Sequence, residues 1–485
     1  MSISGSFSSA LSGLTAAARA AEVVSSNIAN AMTDGYGRRE LTLSARVIGG
    51  TGQGVMVGGV TRRSDPVVIG DRRLADAASG ARDTTAKFLN RLESIVGSPD
   101  DSTSLNSRIA DFDTALLEAT SRPESEPRLA NVMQTAKALA AHIADAGSQI
   151  QNARAEADNQ IESQVAQLNT ALARVADLNG QIRANSGTGR DSSALIDQRQ
   201  QVIDGISKIV PLREVPRDNG PVALFTTGGA VLLDGRPAEL GFTPAGVIVP
   251  GMTQANGALS GLTLNAKPLS TAAEGGPISG GSLAAQFAIR DDLAPKAQEK
   301  LDAVARDLVE RFANPAIDGT RTTGQPGLFT DDGSVFSAVN ETGLAQRLQV
   351  NSAADPAQGG ALWRLRDGLG ASTAGASGNA QMLKNMQSAL TAARNPVSGG
   401  FMAGARSFAT LSADVISGIA TARVNADDEA SFATAQLGTL RSMELEQGVD
   451  TDQEMQSLLQ IETAYAANAK VISTIGDMMQ TLLEM

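Results

Sequence analysis

The sequence contains no cysteine and only one histidine among its 485 residues. Without cysteine there is no disulfide, no thiol chemistry and no zinc site of the cysteine type. The single histidine, His142, leaves few metal-binding or acid–base arrangements open. Aromatic residues make up only 3% of the chain, which is a low fraction for a folded enzyme. The composition therefore favours a protein that is not an enzyme, with no catalytic residue, no cofactor and no metal.

Long hydrophobic runs are also absent. No run of about 18 apolar residues occurs, so we predict no segment that spans a membrane. The N-terminus lacks a basic leading region, and Arg19 and Glu22 interrupt its alanines, so we predict no cleavable signal peptide. The formal net charge of −12 argues against nucleic acid as the main partner, which would need a basic surface. The length and the apolar fraction of 42% indicate about two to four domains.

Both ends of the chain carry residues at alternating spacings of three and four, the heptad pattern of a coiled-coil seam. The C-terminal stretch begins at a predicted capping box formed by Thr451 and Glu454. Its seam positions are Leu458, Ile461, Tyr465, Asn468, Ile472, Ile475, Met479 and Leu482. The N-terminal stretch is predicted to end at Asp34-Gly35. Its seam positions are Phe7, Leu11, Leu14, Ala18, Ala21, Ser25, Ile28 and Met32.

The two heptad stretches are open to two interpretations. They could pack on the rest of their own chain, or they could form the core of a polymer. Apolar residues outside the seam, such as Val23 and Leu459, favour the polymer, because a lone pair of helices would leave them in water. The polar seam residue Asn468 is either exposed at a helix edge or fixes the register and the number of partners. We predict that the two ends pair and that they associate with other copies.

The sequence between the ends predicts a fold that is mainly α with inserted β. Residues 36–70 alternate as in a β-hairpin, residues 71–212 have helical periodicity with one long helix, and residues 213–279 contain short strands, including Val247 to Val249. Helical periodicity returns over residues 283–312, and two further helices are predicted after Phe408. We expect a discontinuous multi-domain rod, in which the terminal helices form a coiled-coil-like core domain beside a helical-bundle domain and a small antiparallel β domain. The predicted domains are residues 1–35 plus 450–485 (terminal helices), 36–212 plus 280–313 plus 404–449 (helical rod), 213–279 (β domain) and 314–403 (a loop-rich, loosely packed insertion).

Few residues suggest chemistry. His142 lies between apolar residues of the long helix and is predicted to be structural or solvated. Asp331-Asp332-Gly333 resembles part of a calcium loop, but the further oxygen ligands are missing. Asp291-Asp292 is predicted to be a solvated pair on a helix surface. The Gly49–Gly59 stretch does not lead from a strand into a helix, so it is not a phosphate-binding loop.

Two segments resemble the signatures of bacterial flagellar axial proteins, the family of rod, hook and hook-associated proteins. The segment S-N-I-A-N-A-M-T-D-G-Y-G-R, which begins at Ser26, is similar to S-N-I-A-N-x-x-T-P-G-Y-S-R. The segment A-Y-A-A-N-A-K-V-I, which begins at Ala464, is similar to A-Y-x-A-N-A-x-V-I. Asp34 and Gly37 depart from the usual proline and serine. The matching motif residues of the first segment are Asn27, Asn30, Gly35, Tyr36 and Arg38.

The stretch from Gly54 to Asp65 and the helices that follow resemble the hook-associated members of that family. The resemblance implies a structural adaptor between hook and filament, exported by the flagellar type III apparatus and polymerising through its terminal helices. The implied partners are further copies in a ring, the hook protein, the second junction protein and an export chaperone on the C-terminal helix. The implied location is the extracellular flagellum, and the cytoplasm before export. A hook or rod subunit is the alternative, and an enzyme carried on an axial scaffold is a third possibility.

Overall fold

The computed structural model describes residues 3–33, 35–48, 51–98, 101–188, 190–272 and 275–484. Two positions named above, Asp34 and Gly49, lie outside the described residues. The helices are α1 (Ile3–Ala29), α2 (Pro66–Val96), α3 (Leu105–Ser121), α4 (Glu126–Thr188), α5 (Ser193–Ile209), α6 (Ser282–Ala288), α7 (Ala294–Ala313), α8 (Leu344–Arg347), α9 (Arg364–Asp367), α10 (Gln381–Thr391), α11 (Phe408–Glu446) and α12 (Thr451–Glu484). The strands are β1 (Arg38–Ile48), β2 (Thr51–Arg63), β3 (Leu212–Pro216), β4 (Val222–Thr226), β5 (Val231–Asp234), β6 (Arg236–Pro237), β7 (Leu240–Gly241), β8 (Leu262–Leu264), β9 (Lys267–Leu269), β10 (Phe329–Asp331) and β11 (Leu348–Val350).

The two ends of the chain meet as predicted, because α1 packs against α12. The helices run antiparallel. Gly13 in the first half of α1 lies against Asn468 in the middle of α12, whereas Arg38, just after α1, bonds to Glu454 at the start of α12. The predicted hairpin is confirmed: β1 and β2 pair in antiparallel fashion and pack on a second face of α1. The ends of the chain therefore form a unit of two helices and one hairpin.

The region from α2 to α5 is helical, as its periodicity predicted. The long helix α4 is continuous over 63 residues, and apolar side chains along it are buried from Leu129 to Ile182. Helix α2 packs antiparallel against α11: its first turns lie beside the end of α11, and its last turns lie beside the middle. Ion pairs follow this contact: Arg72–Glu444 at 2.7 Å, Arg82–Glu429 at 2.6 Å and Arg423–Glu93 at 2.8 Å.

Two hydrophobic cores lie along α4. The first half of α4 packs with α2, α3, α7 and the beginning of α11, and the second half packs with α5, α6 and the small sheets. These sheets are antiparallel, with strand orders β3-β4-β5-β6 and β7-β8-β9. Both cores depend on the same helix, so α4 is the element that joins them.

The segment 314–403, expected to be loop-rich and loosely packed, contributes to the first core. Phe329, Leu344 and Met386 from this segment are fully buried there. The ring of Phe329 lies 5.8 Å from that of Phe112 and 5.1 Å from that of Phe312, centre to centre. Such aromatic clusters add to the stability that burial gives. The segment is therefore more tightly packed than its composition suggested, while the division of the chain into four domains stays a prediction.

Three details of the sequence interpretation were wrong. The start of α12 is capped by Asp450, whose carboxylate accepts from the amides of the two residues after Thr451, at 2.9 and 3.1 Å. The Thr451–Glu454 capping box does not form, because the Glu454 side chain bonds to an arginine instead. The two helices predicted after Phe408 are one helix, α11. Val247 to Val249 is not a strand, and Val247 is exposed.

Candidate functional site

The seam predicted on α12 faces α1. Leu458, Ile461 and Ile472 are half-buried, and Ile475 is buried, at the contact between the two helices. Asn468 is also half-buried there. The contact covers only one side of α12, since Tyr465, Met479 and Leu482 of the same seam remain exposed.

The face of α1 that packs within the chain is one position away from the predicted seam. Ala10, Ala17 and Val24 are buried. The predicted seam residues Phe7 and Leu11 are 43% and 48% exposed. Small side chains allow a close approach of two helix backbones, and this favours the alanine face over the bulkier one. The N-terminal seam was therefore wrong in phase for contacts inside one chain.

The other predicted seam residues of α1 lie on the border of that contact or outside it. Leu14, Ala21 and Ile28 are half-buried. Ala18 and Ser25 are exposed, and Met32 is 98% exposed. Of the large apolar residues of the predicted seam within α1, Phe7 and Leu11 thus remain exposed beside α12 and the hairpin.

Exposed apolar side chains also continue along α12, on both flanks of its contact with α1. They are Met455, Leu459, Tyr465, Val471, Met478, Met479, Leu482 and Leu483, each at least 44% exposed. Large exposed apolar surfaces of a monomeric protein often mark a site where a partner binds. We call these residues the α12 stripe, and Phe7 with Leu11 the α1 stripe. Together they form the candidate site.

Asn27, the first asparagine of the N-terminal signature, connects α1 to the hairpin. Its side chain is 1% exposed. Its Oδ1 accepts from the amide of Arg39 and from the hydroxyl of Tyr36, both at 2.9 Å, and its Nδ2 donates to the carbonyl of Arg39 at 2.9 Å. A buried amide with all these partners fixes the direction in which the chain leaves α1.

The rest of the signature completes this turn. Asn30 donates from Nδ2 to the carbonyl of Ser26 at 2.9 Å and so remains bound to its own helix. Gly35 has a φ of 75°, a left-handed conformation that favours glycine. Gly37 lies against the side chain of Arg62, where a β-carbon would collide with the guanidinium. The departure from the usual serine at position 37 thus allows Arg62 to approach the turn closely.

Asp197 on α5 bonds both to the turn after α1 and to the β1–β2 hairpin. Its carboxylate accepts from the amide of Gly37 at 3.1 Å, from Nε of Arg62 at 2.7 Å and from Nη2 of Arg39 at 3.2 Å. Sequence reasoning missed this residue. Asp197 is about 160 positions from the turn, and no local pattern marks it. Arg62 lay in the stretch that resembled hook-associated proteins, but its partner could not be read from that stretch.

Arg38 connects the turn to α12. Its Nε donates to Oε1 of Glu454 at 2.7 Å, and the Glu454 side chain is only 2% exposed. Asn468 bonds through Nδ2 to the carbonyl of Ala464 at 2.9 Å, and its amide group fills the space left by Gly13. These contacts fix the antiparallel register within one chain. The role of Asn468 in partner number stays a prediction.

The residues considered for catalysis are half-buried or form ion pairs with nearby arginines. His142 is half-buried on α4, and burial lowers its pKa. Asp331 pairs with Arg347 at 2.6 Å, and Asp291 pairs with Arg290 at 2.9 Å. Within the described ranges, no group of three or more histidine, aspartate or glutamate side chains is placed to hold a metal ion. None of the described helices is long and apolar enough to cross a bilayer.

Comparison with known proteins gives three family matches in order along the chain. Residues 7–36 match the flagella basal body rod protein family, and residues 446–485 match the C-terminal family of the flagellar basal body rod FlgEFG proteins. Residues 89–329 match the helical domain of flagellar hook-associated protein FlgK. The two terminal matches coincide with α1 and α12, and the central match runs from α2 to β10.

Individual proteins match a part of the chain. Flagellar hook-associated protein 1 of Salmonella typhimurium is 30% identical over 237 residues, which cover 47% of this chain and 42% of that protein. The Bacillus subtilis protein of the same name is 28% identical over 243 residues (47% and 48%), and that of Escherichia coli is 26% identical over 278 residues (55% and 50%). The aligned region thus spans about half the length of these relatives.

A solved structure of the flagellar hook junction protein FlgK from Burkholderia pseudomallei matches 54% of this chain and 46% of that chain, with a TM-score of 0.43 and 22% identity. The sequence matches place two segments similar to rod proteins around a segment similar to the FlgK helical domain. The chain is thus similar to bacterial flagellar axial proteins at both ends and, between them, to flagellar hook-associated protein 1.

Proposed function

We propose that this protein is a structural subunit that joins hook to filament in the bacterial flagellum. The observation that carries the proposal is the pair of apolar stripes on α1 and α12, which remain exposed after the two helices have packed together. The similarity to proteins named flagellar hook-associated protein 1 supports the place of the subunit at the junction. Its location would be the extracellular flagellum, after export by the flagellar type III apparatus.

In this proposal the terminal helices assemble with those of neighbouring copies. Each helix pair buries one side of α12, and the α12 stripe of one copy would be covered by helices of the next. Burial of one leucine side chain is worth about 1.5–3 kcal/mol, so several such residues per copy could hold a ring together. The hook protein and the second junction protein would continue the same contacts on the two sides of the ring.

An export chaperone is proposed as an earlier partner of the same surface. An uncovered apolar helix is an aggregation hazard in the cytoplasm, and an amphipathic helix of this kind suits binding in a groove. The chaperone would therefore cover the α12 stripe until export and then leave it for assembly.

A hook or rod subunit is the second candidate, because the terminal matches are to rod-protein families. A hook subunit is expected to have little helix between residues 80 and 210. In this chain α2, α3, α4 and α5 occupy most of that range, and the region matches the FlgK helical domain. We therefore favour the junction. Circular dichroism of a 71–212 fragment would test this choice, and a spectrum dominated by strand would favour the hook subunit.

A charged residue introduced into the α12 stripe tests whether assembly depends on this surface. Leu459 is 61% exposed, so Leu459→Asp should leave the fold of the single chain intact while it weakens each contact between copies. We expect a loss of about 10- to 100-fold in incorporation at hook tips, which corresponds to the burial of one leucine. The matched control is Gln460→Asp, at an exposed polar position of the same helix turn.

Two results would contradict the proposal. One is normal incorporation of the Leu459→Asp protein, measured by immunogold labelling of hook tips in cells that lack the wild-type copy. The other is normal assembly of a chain from which residues 451–485 have been deleted. We expect the deletion to leave the central cores folded and to abolish both chaperone binding and incorporation.

A further inference from the structure

Two short segments connect the terminal unit, which consists of α1, β1, β2 and α12, with the central part of the chain, from α2 to α11. The segment 64–65 leads from β2 to α2, and the segment 447–450 leads from α11 to α12. They lie side by side, since Nε2 of Gln447 donates to Oδ2 of Asp65 at 3.4 Å. We call these two segments the joint. Adjacent short connections form an axis about which one part of a protein can rotate against the other.

Neither hydrophobic core extends across the joint. Among the described residues, the buried apolar side chains of both cores come from the central part, and none belongs to the terminal unit. A cleft of about 490 Å³ also lies beside the joint, lined by Arg62 and Ser64 on one side and by Gln200 of α5 on another. Close packing of side chains in a common core resists movement between two parts of a protein. The terminal unit therefore has to be held on the central part by other contacts.

Asp197 of α5 supplies the ion pairs between the two parts. Its Oδ1 accepts from Nε of Arg62 at 2.7 Å, and its Oδ2 accepts from Nη2 of Arg39 at 3.2 Å. Oδ1 also accepts from the amide of Gly37 at 3.1 Å. The other ion pairs that the described residues of the terminal unit form stay within that unit. One carboxylate, with a side chain only 11% exposed, thus makes all the described ion pairs between the two parts.

Gln200, one turn further along α5, adds a neutral contact. Its Oε1 accepts from Nη2 of Arg62, and its Nε2 donates to Oε1 of Glu444 at 3.3 Å. Nη2 of Arg62 also donates to the carbonyl of Gly35 at 3.3 Å, which keeps this arginine attached to the turn of its own unit. Hydrogen bonds in which both groups are charged are stronger than those with a neutral partner. Asp197 is therefore the main contact of α5 with the terminal unit.

We propose that Asp197 is a latch, which holds the terminal unit in one orientation on the central part, and that the unit rotates about the joint when these bonds break. The bonds can break together, because they converge on one side chain and no common apolar core has to be separated. Such a rotation changes the direction of the α1 and α12 stripes relative to α4. The inference goes beyond the proposed function, because it concerns a movement within one chain and not the partners of that chain.

Spin labels on the full chain measure this orientation. The sequence has no cysteine, so two introduced cysteines label only the chosen positions. The joint pair is Ser25→Cys on α1 with Ala184→Cys on α4, both at exposed positions. Two internal pairs use further exposed positions: Ser25→Cys with Gln460→Cys inside the terminal unit, and Ala184→Cys with Lys267→Cys inside the central part. With Asp197 in place, we expect one narrow distance distribution for each pair by pulsed dipolar spectroscopy.

Removal of the carboxylate tests the latch. Asp197→Ala should broaden the distance distribution of the joint pair at least about twofold and leave both internal pairs narrow. The matched control is Asp204→Ala, further along α5. It removes a carboxylate that pairs with Arg72 at 2.8 Å and Arg73 at 2.7 Å inside the central part, and it should leave all three pairs narrow.

Four results would overturn the proposal. They are a joint pair that is already broad with Asp197 in place, a joint pair that stays narrow in Asp197→Ala, equal broadening of the joint pair in Asp204→Ala, and broadening of an internal pair in Asp197→Ala. The last result would show that one of the two parts unfolds instead of rotating.

Discussion

The buried asparagine of the N-terminal signature gives a sharp test of how the chain ends are held. Replacement Asn27→Ala removes the acceptor of the Arg39 amide and of the Tyr36 hydroxyl, and the donor to the Arg39 carbonyl. A buried backbone group left without a partner costs about 1–3 kcal/mol. Since the turn can admit water once it loosens, we expect a total loss of about 2–4 kcal/mol in the local stability of the turn.

Native-state hydrogen exchange measures this loss directly, because it reports local opening without requiring the whole chain to unfold in one step. Amides of β1 should exchange about 30- to 900-fold faster in the Asn27→Ala protein, since each 1.4 kcal/mol is a factor of ten. Amides in α7, which belongs to a distant core, should be unchanged. Peptide-level mass spectrometry of the full chain resolves these two regions.

The matched control is Tyr36→Phe, which removes one of the three bonds and leaves the Arg39 backbone paired. Its expected cost is about 0.5–1.5 kcal/mol, or a factor of about 2 to 13 in exchange. Two results would refute the reasoning. One is unchanged exchange of β1 in Asn27→Ala, and the other is a Tyr36→Phe effect as large as that of Asn27→Ala.

Two further predictions concern charged groups. Burial raises the pKa of Asp302 from 3.8 to about 6, so the folded chain holds this proton more tightly than the unfolded chain. Stability should therefore fall by about 2 kcal/mol as the pH rises from 4 to 6, and urea denaturation of Asp302→Asn over that range should lack this part of the slope. Arg38→Met leaves the carboxylate of Glu454 buried without its cation, which should lower the local stability by about 1–3 kcal/mol. Amide exchange in the first turns of α12 should therefore become faster. The control Arg63→Met breaks an exposed pair with Glu40 and should cost less than about 1 kcal/mol, so equal effects would contradict the role of Arg38.

The face used in the contact between the chain ends could be predicted for α12 but not for α1. On α12 the large residues Leu458, Ile461 and Ile475 carry both the heptad pattern and the contact with α1, so periodicity found the right face. On α1 the contact uses Ala10 and Ala17, whose small side chains hardly stand out in an alanine-rich helix. A hydrophobicity pattern favours positions with large apolar side chains, whereas the contact between two closely packed helices favours small side chains. The one-position error in phase follows from that difference.

Long-range polar contacts could not be predicted at all. Asp197 acts on the turn after α1 from a different helix, and only the folded chain brings the two together. The segment 314–403 presents a similar limit. Its apolar residues are sparse along the sequence, yet Phe329 and Met386 reach the core because α3 and α7 supply the other walls. Local patterns predict the helices and the hairpin, while the partners of each face are decided by residues hundreds of positions away.

Because α4 passes without interruption through both hydrophobic cores, one continuous helix joins them. At 1.5 Å per residue its 63 residues form a strut of about 95 Å. A twist or bend applied to one core reaches the other through this helix, and the two can change their relative orientation only if the helix itself kinks. A chain built in this way would resist bending and twisting between its two cores as a stiff shaft does.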